Sequence, residues 1–406
     1  MGLRILILNT DYPDYLEWLY SGNEGLSHQP YESQLQARYE SLFGVANFYS
    51  NNLRRLGHEA WDIYANNEYL QKAWAREHGA NVDERGGALG NKQVRSTLQL
   101  ARRAAAKTPV RRLKRLFHTV LQSLDNEQPW INEILAAQIK HIRPDVVLNQ
   151  DLHMIDASFL GELRQYYGLL VGQIASPLPQ GQDLTTYDLI ISSLPNFVEH
   201  FRSIGVSSEL NRLGFDPSVL NSMSDCDRDI PVSFVGSLST AHQTRIALLE
   251  HLCLTTPIKI WGSGVDRLPA NSPIRGCYQG NAWGIEMYRI LGRSKLTLNS
   301  HIGIAEDYAN NLRLYEATGA GACLVTDAKA NLNELFEPGA EVVTYSTPED
   351  CSESIRFYLE HDEERRAIAK GGQARTLREH SYFNRMRELL SLIDAHYSHP
   401  LQQAVS

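Results

Sequence analysis

Cysteine is scarce in this chain and long apolar runs are missing, and each shortage closes off a class of protein. Five cysteines, Cys226, Cys253, Cys277, Cys323 and Cys351, are scattered over 406 residues with no two close together. An odd, dispersed set supports neither a disulfide framework nor a zinc cluster, so reduced thiols in a cytoplasmic protein are expected. The apolar run at the N-terminus, Ile5-Leu6-Ile7-Leu8, is too short for a signal peptide or a transmembrane segment. Basic residues are outnumbered, 39 Lys and Arg against 47 Asp and Glu, for a formal net charge of −8. That balance argues against nucleic acid as a partner and against general attraction to anionic membranes. One local exception is the stretch 95–115, which holds Arg95, Arg102, Arg103, Lys107, Arg111, Arg112, Lys114 and Arg115 and no acid. Its default reading is a solvated helix face, with peripheral contact to a membrane or an acidic acceptor as the alternative.

What is present is an alternation of strands and helices, in a composition (43% hydrophobic, 21% charged) ordinary for a soluble globular protein. Ile5–Leu8 suits a parallel strand covered on both faces. An aromatic-rich polar stretch follows to about Glu40, then helical apolar spacing from Phe43, stopped by Gly57, and a strand at Trp61–Tyr64. Residues 66–128 read as a polar helical insertion with a break at Gly86-Gly87-Ala88-Leu89-Gly90. The rhythm resumes with a helix at Trp130–Ile142 and strands at Pro144–Asn149, Leu169–Ile174 and Asp188–Ser192. A second series starts at Asp229–Ser237, with further strands at Ile258–Trp261, Leu296–Asn299, Cys323–Thr326 and Val342–Tyr345. Helices fit Ala241–Cys253, Gly284–Leu291, Leu312–Ala317, Asn331–Phe336 and Pro348–His361, and residues 350–395 are helical and charged. The expected fold is α/β: two Rossmann-like domains facing across a cleft, with the helical insertion in the first. The boundaries expected are 1–225, 226–380 and a C-terminal helix within 381–406 that crosses back to the first domain.

The most informative run is Asn299 to Asp327: strand, polar loop, helix start, small-residue turn, strand. Asn310 or Asn311 suits an N-cap, and Leu312 opens the helix. A helix starting there offers free backbone N–H groups and a positive dipole end to a phosphate. Arg313 can add a bidentate contact to a diphosphate, and Glu316 lies on the same side of the helix. The alternative is that Arg313 and Glu316 pair with each other on a solvated face. Gly236-Ser237, after the first strand of the second series, makes either a close-approach turn for a diphosphate or a plain strand-to-helix turn. Arg245 is a source of positive charge or a surface helix residue. His301 is a phosphate or base contact, or a satisfied core histidine.

The pattern Asn311-x-Arg313-x-Tyr315-Glu316-Ala317-x-Gly319-x-Gly321, then Leu324-x-Thr326-Asp327, resembles the signature of the spore-maturation-protein-B-like glycosyltransferases, which have the GT-B fold. Phe234-Val235-Gly236-Ser237, His242, Arg245, Trp283-Gly284, Leu298-Asn299, Gly371-Gly372-Gln373-Ala374-Arg375 and His380-Ser381-Tyr382 fit in order, so the resemblance covers about residues 230–390. It implies that the C-terminal half binds the nucleotide of an activated sugar, with Gly236, Ser237, His242, Arg245, His301, Asn310, Asn311, Leu312, Arg313 and Glu316 on the donor side. Glu316 falls where related retaining enzymes have the ribose-binding acid of a Glu, seven residues, Glu motif; the first acid's position is Tyr308. An Asp-x-Asp motif of the kind metal-dependent transferases carry is absent after any strand, since Asp225-Cys226-Asp227 lies in the linker. No metal and no cofactor are expected.

In such a fold the acceptor and any base come from strand-end loops of the first half, Asn9–Pro13 and Asn149–Met154. Asp151, His153 and Asp11 are the titratable candidates, as base or as acceptor-orienting groups, and a strand-end turn or helix cap is the alternative for each. The expected partners are a nucleotide-sugar donor and a hydroxyl acceptor (glycan, protein or small molecule). The rival functions are a nucleotide-sugar epimerase of the same fold and a non-catalytic sugar-nucleotide-binding subunit.

Overall fold

The computed structural model describes residues 2–80, 129–179, 181–223, 227–238 and 243–398. Expectations for the Gly-rich break, the basic run 95–115, most of the insertion 66–128, and His242 fall outside the described residues. Among those described, no helix is long and apolar enough to cross a membrane.

Among the described residues, twelve strands form two six-stranded parallel sheets. The first series runs β1 (Arg4–Asn9), α1 (Pro13–Gly22), α2 (Tyr31–Glu40), α3 (Phe48–Arg55), β2 (Glu59–Tyr64), α4 (Glu68–Glu77), α5 (Pro129–Ile142), β3 (Val146–Asn149), α6 (Ala157–Glu162), β4 (Leu169–Gln173), β5 (Leu189–Ser192), α7 (Pro195–Ser203) and β6 (Ser208–Leu210). The second runs β7 (Ile230–Val235), α8 (Gln243–Thr255), β8 (Ile258–Trp261), α9 (Ile274–Cys277), β9 (Tyr278–Gly280), α10 (Ile285–Arg293), β10 (Ser294–Leu298), α11 (Leu312–Gly319), β11 (Cys323–Asp327), α12 (Leu332–Leu335), β12 (Val343–Tyr345), α13 (Pro348–Glu360), α14 (Asp362–Glu379) and α15 (Tyr382–Ser398). By their contacts the described residues fall into two compact units: one from Met1–Ala37, Ala60–Gly172 and Pro179–Thr186, the other from Arg38–Glu59, Gln173–Leu178 and Tyr187–Ser406.

The strand orders are β2-β1-β3-β4-β5-β6 and β12-β11-β10-β7-β8-β9. In each, the chain first builds outward on one side of the first strand and then returns to build on the other. The order therefore reverses between β1 and β3, and between β7 and β10. At such a reversal the two following loops leave in opposite directions and open a crevice beyond the carboxyl ends of the strands.

The central strands are largely apolar because helices cover both faces, and the buried hydroxyls of Ser233 and Thr297 meet each other at 3.0 Å. Val232, Phe234, Ile260, Leu296, Leu298, Val325 and Val343 are buried and pack with Leu249 of α8 and Ile355 of α13. Each such side chain stabilises the fold by about 1.5–3 kcal/mol through burial. The sequence reading did not name every element. Two helices, α1 with Pro13 in its first turn and α2, occupy the aromatic-rich stretch before Glu40. Strand β9 has three residues, none buried, and so carries no apolar run to announce it.

Glycines set the shape of the β7 end. Gly262 has φ +138°, and a Cβ there would lie 1.9 Å from the Gly236 carbonyl oxygen. Gly236 N–H donates to the Trp261 carbonyl (3.0 Å) and Leu238 N–H to that of Ser263 (2.8 Å), so the loops after β7 and β8 run backbone against backbone. Gly262→Ala should therefore destabilise the protein by about 2 kcal/mol or more. A lower urea midpoint with an unchanged m value is the expected result; an unchanged midpoint contradicts it.

Candidate functional site

The second unit gathers polar side chains at the β7/β10 reversal. Strand β7 ends at Val235, leading into Gly236 and the exposed Ser237. Strand β10 ends at Leu298, leading into the buried Asn299, Ser300 and His301. Helix α11 starts beside them, and its N-cap is Asn311, whose side-chain oxygen accepts from Leu314 N–H (3.3 Å). Asn311 Nδ2 donates to Asn299 Oδ1 (2.8 Å), and Asn299 Nδ2 to Thr326 Oγ1 (3.0 Å), which ties the cap to the ends of β10 and β11. Leu312, half-buried, opens the helix.

Asn310 faces elsewhere. Its Nδ2 donates to the Ser193 carbonyl (2.6 Å), and its Oδ1 accepts from the Tyr315 hydroxyl (3.3 Å). It anchors the loop before α11, and Asn196 Nδ2 holds the same loop at the Ile304 carbonyl (3.1 Å).

Arg313 and Glu316 pair, Nη1 to Oε2, at 2.9 Å. The face is not solvated, as the pairing alternative would have it: the side chains are 15% and 7% exposed. Arg313 Nη2 donates to the Val235 carbonyl (2.9 Å), and Nη1 reaches Met287 Sδ (2.9 Å). One guanidinium thus joins α11, the end of β7 and α10. Burial pushes the Glu316 carboxyl above its ordinary pKa, and the Arg313 charge opposes that shift without cancelling it.

Arg245, on α8, reaches the same place. Its Nη2 donates to the Ser300 carbonyl (2.7 Å), and the guanidinium lies over the Phe234 ring, 5.9 Å from its centroid. Burial lowers its pKa, with Asp327 and Tyr345 opposing. His301 is held by a residue that the sequence reading did not assign a role: its Nδ1 is 2.6 Å from Asp327 Oδ1. Lys329 Nζ is 3.6 Å from the other Asp327 oxygen and donates to the Glu306 carbonyl (2.6 Å). An aspartate closing a parallel strand was the available signal, but its partner lies 26 residues away.

Other residues of the family-like pattern do structural work. A Cβ on Gly319 would lie 2.4 Å from the Phe215 ring, and one on Gly372 would lie 2.4 Å from the Glu341 carbonyl. Gln373 Nε2 donates to the Gly319 carbonyl (3.0 Å). His380 is pulled to about 4 by burial, with the Leu335 carbonyl opposing. It is therefore neutral, accepting from Arg385 at Nδ1 (3.0 Å) and donating through Nε2 to Leu335 O (2.8 Å).

In the first unit, the β1/β3 reversal brings the other candidates together. Asp151 accepts from the Thr10 hydroxyl at Oδ2 and from the His153 and Met154 N–H groups at Oδ1 (2.9 and 3.1 Å). It caps its own loop. Asp11 is buried, with its backbone clasped by Asn66 in two hydrogen bonds (2.8 and 2.7 Å). His153 is exposed beside them, as are Tyr12 and Met154.

The buried pair yields a stability prediction. Glu316→Gln keeps the shape but leaves Arg313 charged and unpaired, and should cost about 3–5 kcal/mol. Replacing both residues, as Arg313→Met with Glu316→Leu, should recover most of that loss. Urea unfolding of the three variants checks this, and a single variant as stable as the parent overturns it.

Residues 243–391 match the family described as glycosyl transferase-like. No curated protein sequence matches the chain. Among solved structures, Anabaena HepE in complex with UDP and glucose is similar at TM-score 0.56 and 11% identity, over 97% of this chain and 100% of that one. A glycosyltransferase from Rickettsia africae is similar at TM-score 0.54 and 11% identity, over 98% and 99%. The fold is GT-B, and the glycosyl transferase-like segment holds Arg245, His301, Arg313, Glu316 and Asp327.

Proposed function

We propose that the protein is a glycosyltransferase of the spore-maturation-protein-B-like branch, moving a sugar from a nucleoside-diphosphate donor to an acceptor hydroxyl. One observation carries this reading: the segment that matches the glycosyl transferase-like family places two half-buried arginines at the β7/β10 reversal, where a GT-B fold opens its crevice.

Transfer leaves negative charge on the departing diphosphate. Fixed donors aimed at that charge lower the barrier because they need no reorganisation as it develops. We assign this role to the Gly236–Ser237 turn, Arg245 and the first N–H groups of α11, without a metal. Arg313 takes Oε2 of Glu316, and we assign Oε1 to the ribose hydroxyls. On the acceptor side, Asp151 is committed to its own loop, so we assign the proton-accepting or orienting role to His153. The UDP in HepE supports UDP-sugars as the first donors to test.

Mixing donor with candidate acceptors and measuring free nucleoside diphosphate tests the reading. Turnover should release the diphosphate, and Arg245→Gln should slow it by about 10²-fold. An intact donor with an inverted sugar centre would reveal an epimerase. Binding without any turnover across an acceptor panel would reveal a non-catalytic subunit.

A further inference from the structure

Cys253, near the end of α8, and Cys277, the last residue of α9, meet at the rim of the second unit's core. Helix α9 packs there through Ile274, fully buried in one cluster with Leu249 and Leu252 of α8. A hydrogen bond fixes the approach: Ser272 Oγ, ahead of α9, donates to Glu250 Oε1 (2.6 Å), one turn before Cys253. The Cys253 thiol hydrogen-bonds the Cys277 thiol, and Cys277 Sγ lies 4.0 Å from the Cys253 carbonyl oxygen. Sulfurs so placed are a side-chain rotation away from disulfide distance, about 2.05 Å. Both residues are half-buried, whereas Cys323 and Cys351 are buried.

We propose that Cys253 and Cys277 are a reversible dithiol–disulfide pair, and that their bond pins the sheet edge at β9 to α8. Strand β9 follows Cys277 directly and has three residues, none buried. Its pairing with β8 is irregular between Ile260 and Trp261. An edge with few buried contacts opens easily, so a covalent tie at its first residue acts where the structure is least held. The bond would join residues 24 apart in the chain and so also restrict the unfolded state.

The oxidant is a hydroperoxide. Burial, then the Cys277 thiol and the Glu250 charge, hold the Cys253 thiol well above the usual thiol range, so Cys253 keeps its proton. The first attack therefore falls to Cys277. Its sulfur bonds one peroxide oxygen, the O–O bond breaks, and the departing oxygen takes up the Cys277 proton. The sulfenic acid so formed has a resolving thiol beside it. The Cys253 sulfur displaces the hydroxyl, the S–S bond forms, the S–O bond breaks, and the Cys253 proton leaves in water. The two sulfurs lose two electrons in all and the hydroperoxide gains them.

The test treats the folded full chain with hydrogen peroxide, blocks the remaining thiols with N-ethylmaleimide and maps the peptides by mass. The peptides of Cys253 and Cys277 should appear joined and two hydrogen atoms lighter, and dithiothreitol should separate them. Cys253→Ser should leave Cys277 as a sulfenic acid that dimedone traps, and Cys277→Ser should leave Cys253 unoxidised. Amide hydrogen exchange over Tyr278–Gly280 should slow about tenfold in the oxidised parent and stay unchanged in peroxide-treated Cys253→Ser. Cys253 and Cys277 recovered separately, blocked or over-oxidised, overturn the pair. A joined peptide with exchange at β9 unchanged overturns the pinning. Should either variant not fold, the joined peptide and the exchange of the parent decide alone.

Discussion

A half-buried guanidinium organises the second half of this protein. Arg313 is only 15% exposed in its side chain, and a charge so placed is tolerated when its donors are met. Three groups from three elements meet them: Glu316 one turn on, the Val235 carbonyl at the end of β7, and Met287 of α10. This requirement sets where α11 begins relative to β7. The helix start, the Gly236–Ser237 turn and the β10 end then come together as a consequence.

The same reversal of strand order occurs in both sheets, but its polar residues are used differently. At β7/β10, charged groups from α8, α11 and β11 converge on two strand ends. At β1/β3, the two acids are turned inward, Asp151 to its own loop and Asp11 into a buried position clasped by Asn66, while Tyr12, His153 and Met154 stand outward. A site for a multiply charged diphosphate needs the first arrangement. A site for a neutral hydroxyl acceptor is compatible with the second, because a histidine and an aromatic face suffice to orient it.

Much of the fold was legible in the sequence because parallel strands covered on both faces must be apolar along their length, as Ile5–Leu8 and Cys323–Val325 are. Strand β9 was not, since it is a three-residue edge without a buried side chain. The i, i+3 spacing made the Arg313–Glu316 pair foreseeable. Its burial was not foreseeable, because Tyr288 and Tyr382, which lie within electrostatic reach of Glu316, come from other segments. Asn310 and Asn311 are alike as letters, and only the fold separates an anchor on Ser193 from a helix cap. His301 lies 26 residues before Asp327, so the grip of the carboxylate on the ring was invisible until β10 and β11 lay side by side.

The most direct test of the account is thermal unfolding of the protein against a panel of common sugar nucleotides and nucleoside diphosphates. A ligand at about a hundred times its Kd stabilises the folded state by about 2.7 kcal/mol. The account predicts a clear rise in Tm with at least one of these ligands, reduced in Arg245→Gln. No rise with any of them would contradict a nucleotide-sugar site at the β7/β10 reversal.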